Sequence, residues 1–166
     1  VPAAGLVLLH PFLATYFDSL GLLAGPGRFA DTHARSLAVR LSQRLATGAE
    51  TAPEADCVLA KLLCGLKPEE ALVPDGLHVP SAQRVSEEAD RLLVAVIGHW
   101  AKLGRTSPEG LREAFLRRPG LLQAKGGEWQ LKVERRGTDV LLDSLPWTIG
   151  LVRTPFMTSL LKVDWR

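Results

Sequence analysis

The chain contains no asparagine and only two cysteines. It also has no apolar run long enough to cross a bilayer. Its longest strongly apolar run, Leu92–Ile97, is far shorter than the roughly 20 residues that a transmembrane helix needs. No signal peptide is visible, and because the chain starts at Val1 without methionine we interpret it as a fragment of a longer protein. The missing asparagine accompanies fourteen arginines against six lysines, which indicates nucleotide bias in the source genome. With 166 residues, 46% of them hydrophobic, the composition is typical of one globular domain.

The two cysteines are not placed to form a disulfide. Cys57 and Cys64 are seven residues apart, which puts them on one helix face about 10 Å from each other. This separation is too large for a disulfide, and neither His78 nor His99 stands at a spacing that completes a metal site. We therefore predict two buried free thiols, no bound metal and no other cofactor.

The sequence also lacks the residue sets that catalysis usually needs. The four histidines lie in separate segments, no serine has a G-x-S-x-G context, and the phosphate-binding pattern G-x-x-x-x-G-K-[ST] is absent. Asp139 and Asp143 are four residues apart on a predicted helix. We interpret them as a solvated face or as partners of Arg135 and Arg136. We predict no catalytic residues and no enzyme activity.

Apolar periodicity predicts a helical lobe over about residues 1–66. Pro11 is predicted to begin one helix, and the apolar GLVLL before it fits either a short buried strand or an earlier helix. Asp31 is the expected N-cap of a second helix that ends at Gly48, and a third helix follows. The segment of about residues 67–80 holds three prolines and no clear period, so we predict a linker there.

A second lobe, over about residues 81–166, is predicted to combine helices with a small sheet. The clearest helix pattern runs from Ser81 to Leu103. A shorter helix follows, with either Thr106 or Ser107 as its N-cap, and Gly126-Gly127 then joins the strands of a β-hairpin. The final LLKVDWR is predicted to close the sheet. The predicted fold class is therefore α+β: a helical N-terminal lobe, then a small, mostly antiparallel sheet packed on helices, in one domain.

Five side chains are candidates for contacting a partner. Trp147 and Trp165 fall at the ends of elements, where a tryptophan either anchors an interface or covers the edge of the core, and the pattern leaves both options open. Phe156 belongs to an apolar C-terminal segment. Arg117 and Arg118 have charged neighbours, so we expect them at an exposed helix end.

Eight short motifs, in a fixed order, cover nearly the whole chain. They are AGLVLLHPFL (4–13), LATG (45–48), KLLCGL (61–66), AVIGHW (95–100), TSPEGLREAFL (106–116), WQLKVER (129–135), DVLLDSLPW (139–147) and LKVDW (161–165). In this order the chain resembles the tape measure proteins of contractile, phage-tail-like injection systems. Each motif alone is weakly specific, whereas all eight in order are fairly specific.

The resemblance implies a structural role. A tape measure protein sets the length of the tube while the injection particle assembles. This chain would then be a globular end domain that anchors the ruler to the baseplate hub or spike, or to the inner tube, in several copies per particle. The resemblance further implies assembly in the bacterial cytoplasm, with neither nucleic acid nor a membrane as a partner.

An alternative interpretation rests on charge. Residues 51–100 carry eight acidic and four basic side chains, whereas residues 101–166 carry seven acidic and twelve basic ones. A helix followed by a two-stranded wing is the end of a winged-helix unit, and its basic side chains could contact phosphates. Those side chains are Arg112, Arg117, Arg118, Lys125, Lys132, Arg135 and Arg136. The segment 105–136 is therefore the alternative, nucleic-acid-binding hypothesis.

Overall fold

The computed structural model describes every residue from Val1 to Arg166. Its α-helices are α1 (Leu13–Ser19), α2 (Thr32–Thr47), α3 (Val58–Leu63), α4 (Ala82–His99) and α5 (Pro108–Leu111). Its strands are β1 (Leu23–Gly25), β2 (Arg28–Phe29), β3 (Gly120–Lys125), β4 (Glu128–Val133), β5 (Leu151–Val152) and β6 (Leu161–Trp165). Short 3₁₀-helices occupy Ala4–Phe12, Glu54–Cys57, Ala101–Leu103 and Gly137–Ser144, and α5 continues into a π-helical turn at Arg112–Leu116.

Side-chain caps fix the starts of three helices. The Asp31 carboxylate accepts a hydrogen bond from the Ala34 amide at 2.7 Å, and α2 ends at Gly48 with a left-handed φ of 76°. Ser81 caps α4, and Ser107 caps α5 with a proline at the first helical position. The structure thus confirms the predicted limits of α2 and the start of α4. It also selects Ser107 over Thr106 as the cap of α5.

The first nine residues after Ala3 differ from the expected helix start. Ala4–Phe12 form a 3₁₀-helix, so Pro11 lies inside this helix instead of beginning one, and α1 starts at Leu13. The apolar run inside the 3₁₀-helix is buried on all sides, which explains why its sequence shows no period. Gly5 permits this burial, since a Cβ there would lie 1.9 Å from the Phe115 carbonyl oxygen.

The main sheet has four strands in the order β3-β4-β6-β5. β3 and β4 form the predicted antiparallel hairpin, and the positive φ angles of Gly126 and Gly127 allow its two-residue turn. β6 runs parallel to β4 and antiparallel to β5. Two of the three pairings are antiparallel, so the α+β class with a mostly antiparallel sheet is confirmed. The predicted closing strand lies inside the sheet, between β4 and β5.

One apolar core joins both parts of the chain. A single cluster of 41 buried residues draws on α1 to α5, the 3₁₀-helix at Ala4–Phe12 and the inner face of the sheet. The predicted linker has irregular backbone, but hydrogen bonds fix it along α2. The Val73 amide donates to Ser36 Oγ at 3.1 Å, Arg40 donates to the Val73 carbonyl at 2.6 Å, and His33 Nδ1 lies 2.7 Å from the Pro74 carbonyl.

The interior holds both thiols. Cys57 and Cys64 are free and buried, as predicted. Burial raises the pKa of Cys64 to about 12 and also raises the pKa of Cys57. The structure contains no group of three or more His, Cys, Asp or Glu side chains that could hold a metal ion. Its helices are either too short or too polar to traverse a bilayer.

Candidate partner-binding residues

Arg118 lies in the interior, and the expectation of an exposed helix end is wrong for this residue. Its guanidinium is 0% exposed and forms a bidentate ion pair with Asp139, at 2.7 Å to Oδ1 and 2.8 Å to Oδ2. It also donates to the Glu134 carbonyl at 2.7 Å. The partners of Arg118 lie 16 and 21 residues further along the chain, so the local charge pattern could not reveal them.

Asp139 gathers three segments around one buried carboxylate. It accepts hydrogen bonds from Arg118, from the Arg136 amide at 2.8 Å and from Trp165 Nε1 at 2.9 Å. Burial pushes the pKa of Asp139 upward, but these three donors outweigh burial and hold the pKa below its usual value. Trp165 therefore ties the end of β6 to the buried ion pair, and its ring faces the Arg118 guanidinium at 5.4 Å.

Arg117 and Arg112 instead bind the C-terminal end of α2. Arg112 Nε donates to the Leu45 carbonyl at 2.9 Å, and Arg117 Nε donates to the Thr47 carbonyl at 2.8 Å. Cations are favoured at this end of a helix because its last carbonyls lack intrahelical partners. Glu109 accepts from Arg117 at 2.5 Å, and this hydrogen bond is the main reason that the pKa of Glu109 is lowered.

Phe156 is a core residue in this structure. Its ring stacks on Phe29 with centroids 4.5 Å apart, and it approaches Phe17 at 5.6 Å. All three rings are buried. The apolar segment around Phe156 suggested a partner contact, but the Phe156 ring instead packs against core residues of the same molecule.

Trp147 is half-buried and belongs to a surface cluster. Its Nε1 donates to the Leu8 carbonyl at 2.9 Å, and its ring meets Phe12 edge-on at 5.1 Å. Phe12 in turn lies 5.9 Å from the exposed ring of His99. We call Phe12, His99 and Trp147 the aromatic patch. Phe12 and His99 were not among the predicted candidates, and no sequence signal could find them because the three residues come from distant segments.

The basic segment 105–136 does not present a continuous row of free cations. Arg112, Arg117 and Arg118 contact carbonyls and carboxylates of the protein itself, and Arg135 pairs with Asp143 at 3.3 Å. The last pair was one of the two predicted alternatives for Asp143. The helix before the hairpin has only the four residues of α5 and one π-helical turn. This geometry gives little support to the winged-helix hypothesis.

The chain consists of short elements around one core, and three of its arginines contact the protein itself. The sequence model for contractile injection system tape measure proteins matches residues 1–165, and the chain therefore belongs to that family. The resemblance drawn from the eight motifs is confirmed. No curated protein and no solved structure shows a significant match to the chain. Membership makes the protein a component of a contractile injection particle with a role in its structure and assembly.

Proposed function

We propose that this chain is the globular end domain of a tape measure protein and that it anchors the ruler to the baseplate hub or spike, or to the inner tube. The observation that carries the proposal is the shortness of the helices. The longest, α4, has 18 residues and spans about 27 Å at 1.5 Å per residue. A ruler requires a far longer continuous helix, whereas an anchor requires a stable body with a defined surface.

The aromatic patch is the surface that we propose for the anchor contact. Aromatic side chains dominate the energy of many protein interfaces because they bury a large area with little loss of side-chain freedom. The patch is preorganised, since Trp147 is hydrogen-bonded to Leu8 and packed on Phe12. The resemblance implies that the hub and tube parts of the particle are symmetric, so we propose several copies of the domain per particle, assembled in the bacterial cytoplasm.

We further propose that the domain acts without catalysis and without nucleic acid. Three arginines of the basic segment serve the fold: Arg118 neutralises Asp139, and Arg112 and Arg117 bind the end of α2. These arginines are the ones that a phosphate-binding surface at residues 105–136 would need. Their contacts with the protein itself are consistent with a structural role.

A binding assay tests the anchor. The chain is immobilised and incubated separately with the purified hub, spike and inner-tube proteins of the same operon. We expect one of them to be retained by the wild type. His99→Asp places a charge on the exposed edge of the aromatic patch and should weaken that binding about tenfold or more.

Leu121→Asp is the matched control, because it also places one carboxylate at an exposed position, on the outer face of the main sheet and outside the aromatic patch. It should bind like the wild type. Retention of none of the three proteins would contradict the anchor proposal. Equal binding by both variants would contradict the assignment of the aromatic patch.

A further inference from the structure

A polar cavity of about 180 Å³ lies where α1, α2, α4 and the π-helical turn meet. Its polar lining consists of Tyr16, Arg44, Ser86, Asp90 and Arg112. The cavity is separate from the aromatic patch and from the Arg118–Asp139 ion pair. Arg112 was already among the basic side chains of the nucleic-acid hypothesis, whereas the other four polar residues were not singled out for a function.

Tyr16 supplies a hydroxyl that has no hydrogen-bond partner within the protein. The side chain is 3% exposed, and its hydroxyl forms no hydrogen bond with the protein. Every fully inaccessible side-chain polar atom in the structure has a partner, so this hydroxyl keeps some access to solvent, and Tyr16 is one of the residues that line the cavity. Burial raises the pKa of Tyr16 to about 12, against a smaller lowering effect of Arg44 and Arg112. The hydroxyl is therefore protonated at neutral pH and can donate a hydrogen bond into the cavity.

Two arginines, Arg44 and Arg112, line the same cavity. Arg44 makes no ion pair in the structure, although both arginines act electrostatically on the Tyr16 hydroxyl. Arg112 Nε donates a hydrogen bond to the Leu45 carbonyl. The nearest carboxylate, that of Glu109, lies 3.5 Å from Arg112 and is paired more closely with Arg117. The positive charge at the cavity is thus incompletely neutralised.

The acidic groups nearby cancel only part of this charge. Glu88, which also acts on the Tyr16 hydroxyl, pairs with Arg91 at 3.0 Å. Asp90 lines the cavity and forms no salt bridge with Arg44 or Arg112. The cavity is therefore lined by two cations, one neutral donor and one carboxylate that forms no salt bridge.

We propose that this cavity is a binding site for a single oxyanion, a carboxylate or a phosphate group. Arg44 and Arg112 would supply the charge-assisted hydrogen bonds, and Tyr16 would supply the third donor. The volume suits one such group with a few water molecules, since a water occupies about 30 Å³. Occupancy would also give the Tyr16 hydroxyl a hydrogen-bond partner, which no group of the protein supplies.

Tyr16 is the single tyrosine of the chain, so its own signal can report on the site. The protein is prepared with ¹³C-labelled tyrosine, which gives one ring signal in an NMR spectrum. Sodium acetate and sodium phosphate are titrated separately at neutral pH, with sodium chloride at matched ionic strength as the reference for screening. We expect a saturable shift of the Tyr16 signal with at least one of the two anions. Acetate alone would assign a carboxylate ligand, and phosphate alone a phosphate ligand.

Three variants test the assignment. Arg44→Gln should weaken binding about tenfold or more, because it removes a charged donor. Arg105→Gln removes an exposed arginine outside the cavity and should leave binding unchanged. Asp90→Asn, at an exposed position, should tighten binding about fivefold by removing a like charge from the rim.

Two results would overturn the site. One is a Tyr16 signal that moves no more with acetate and phosphate than with chloride. The other is a saturable shift that neither Arg44→Gln nor Asp90→Asn changes. If Arg44→Gln does not fold, Asp90→Asn decides the question, and an unchanged affinity then counts against the proposal.

Discussion

Two buried cations, Lys61 and Arg118, are stabilised in different ways. Lys61 Nζ contacts the Glu54 carboxylate at 2.7 Å and the carbonyls of Pro68 and Glu70 at 3.2 and 2.7 Å. All of these partners lie within nine residues along the chain. Arg118 instead depends on Asp139, 21 residues away. The first cation fixes a local segment, whereas the second joins separate parts of the C-terminal half.

The anions differ as much as the cations. The Glu54 side chain is 45% exposed, whereas Asp139 is 0% exposed. If Lys61 is removed, Glu54 can be solvated where it is. If Arg118 is removed, Asp139 is left as an uncompensated charge in the interior, which is one of the most destabilising single changes in proteins. The comparison predicts a clear order of stability losses.

The largest loss is expected for Arg118→Met. This change keeps an apolar side chain of comparable length but strands the Asp139 carboxylate, and we expect unfolding to become easier by about 3–5 kcal/mol. Urea unfolding followed by tryptophan fluorescence measures it. A loss below about 1 kcal/mol would show that the ion pair is not buried in solution.

Lys61→Met should cost less, about 2 kcal/mol. The loss comes from the two carbonyls of Pro68 and Glu70, which would lack a donor, and not from Glu54, which returns to water. The same urea series measures it. The comparison between the two cations fails if Lys61→Met is as destabilising as Arg118→Met.

Arg117→Met is the matched control for its neighbour and should cost at most about 1 kcal/mol. Its side chain is 39% exposed, and its contacts with the Thr47 carbonyl and Glu109 are accessible to water. The two adjacent arginines should therefore differ by severalfold in the same unfolding experiment. Equal losses would mean that binding the end of α2 matters as much as the buried pair.

The contrast also explains what the sequence could predict. α2, α4 and the hairpin follow from caps, apolar spacing and paired glycines, all of which act within a few residues. The same apolar spacing continues to Trp100 just after α4, and Trp100 is fully buried. The position of β6 between β4 and β5, by contrast, depends on pairing between distant segments. Local patterns carry no information on such pairing.

The candidate site was less predictable for the same reason. Arg117 and Arg118 have the same local context, yet one lies at the surface and the other in the interior, because only Arg118 meets Asp139. Trp147 acquires its aromatic neighbour Phe12 from the opposite end of the chain. Side chains whose environment is made by tertiary contacts cannot be assigned from spacing alone.

The smallest effect is expected from pH. The folded-state pKa of Asp139 is lowered, so its contribution to stability is complete above the unfolded-state value of about 3.9 and is lost as the pH falls toward the folded-state pKa. Between pH 5 and pH 3 only part of that titration is reached. We expect the wild type to lose stability in this window, and Asp139→Asn to lose less over the same range despite its lower starting stability.

Glu54→Gln is the comparison variant for this measurement. The pKa of Glu54 is also lowered, chiefly by its hydrogen bond from Lys61, so this variant should likewise flatten the acid limb of the curve. Urea unfolding at pH 5, 4 and 3 gives the slope for each protein. If Asp139→Asn has the slope of the wild type while Glu54→Gln is flatter, the buried carboxylate is not titrating as its hydrogen bonds require. The loss of stability in acid would then come from the Lys61–Glu54 pair and not from the Arg118–Asp139 pair.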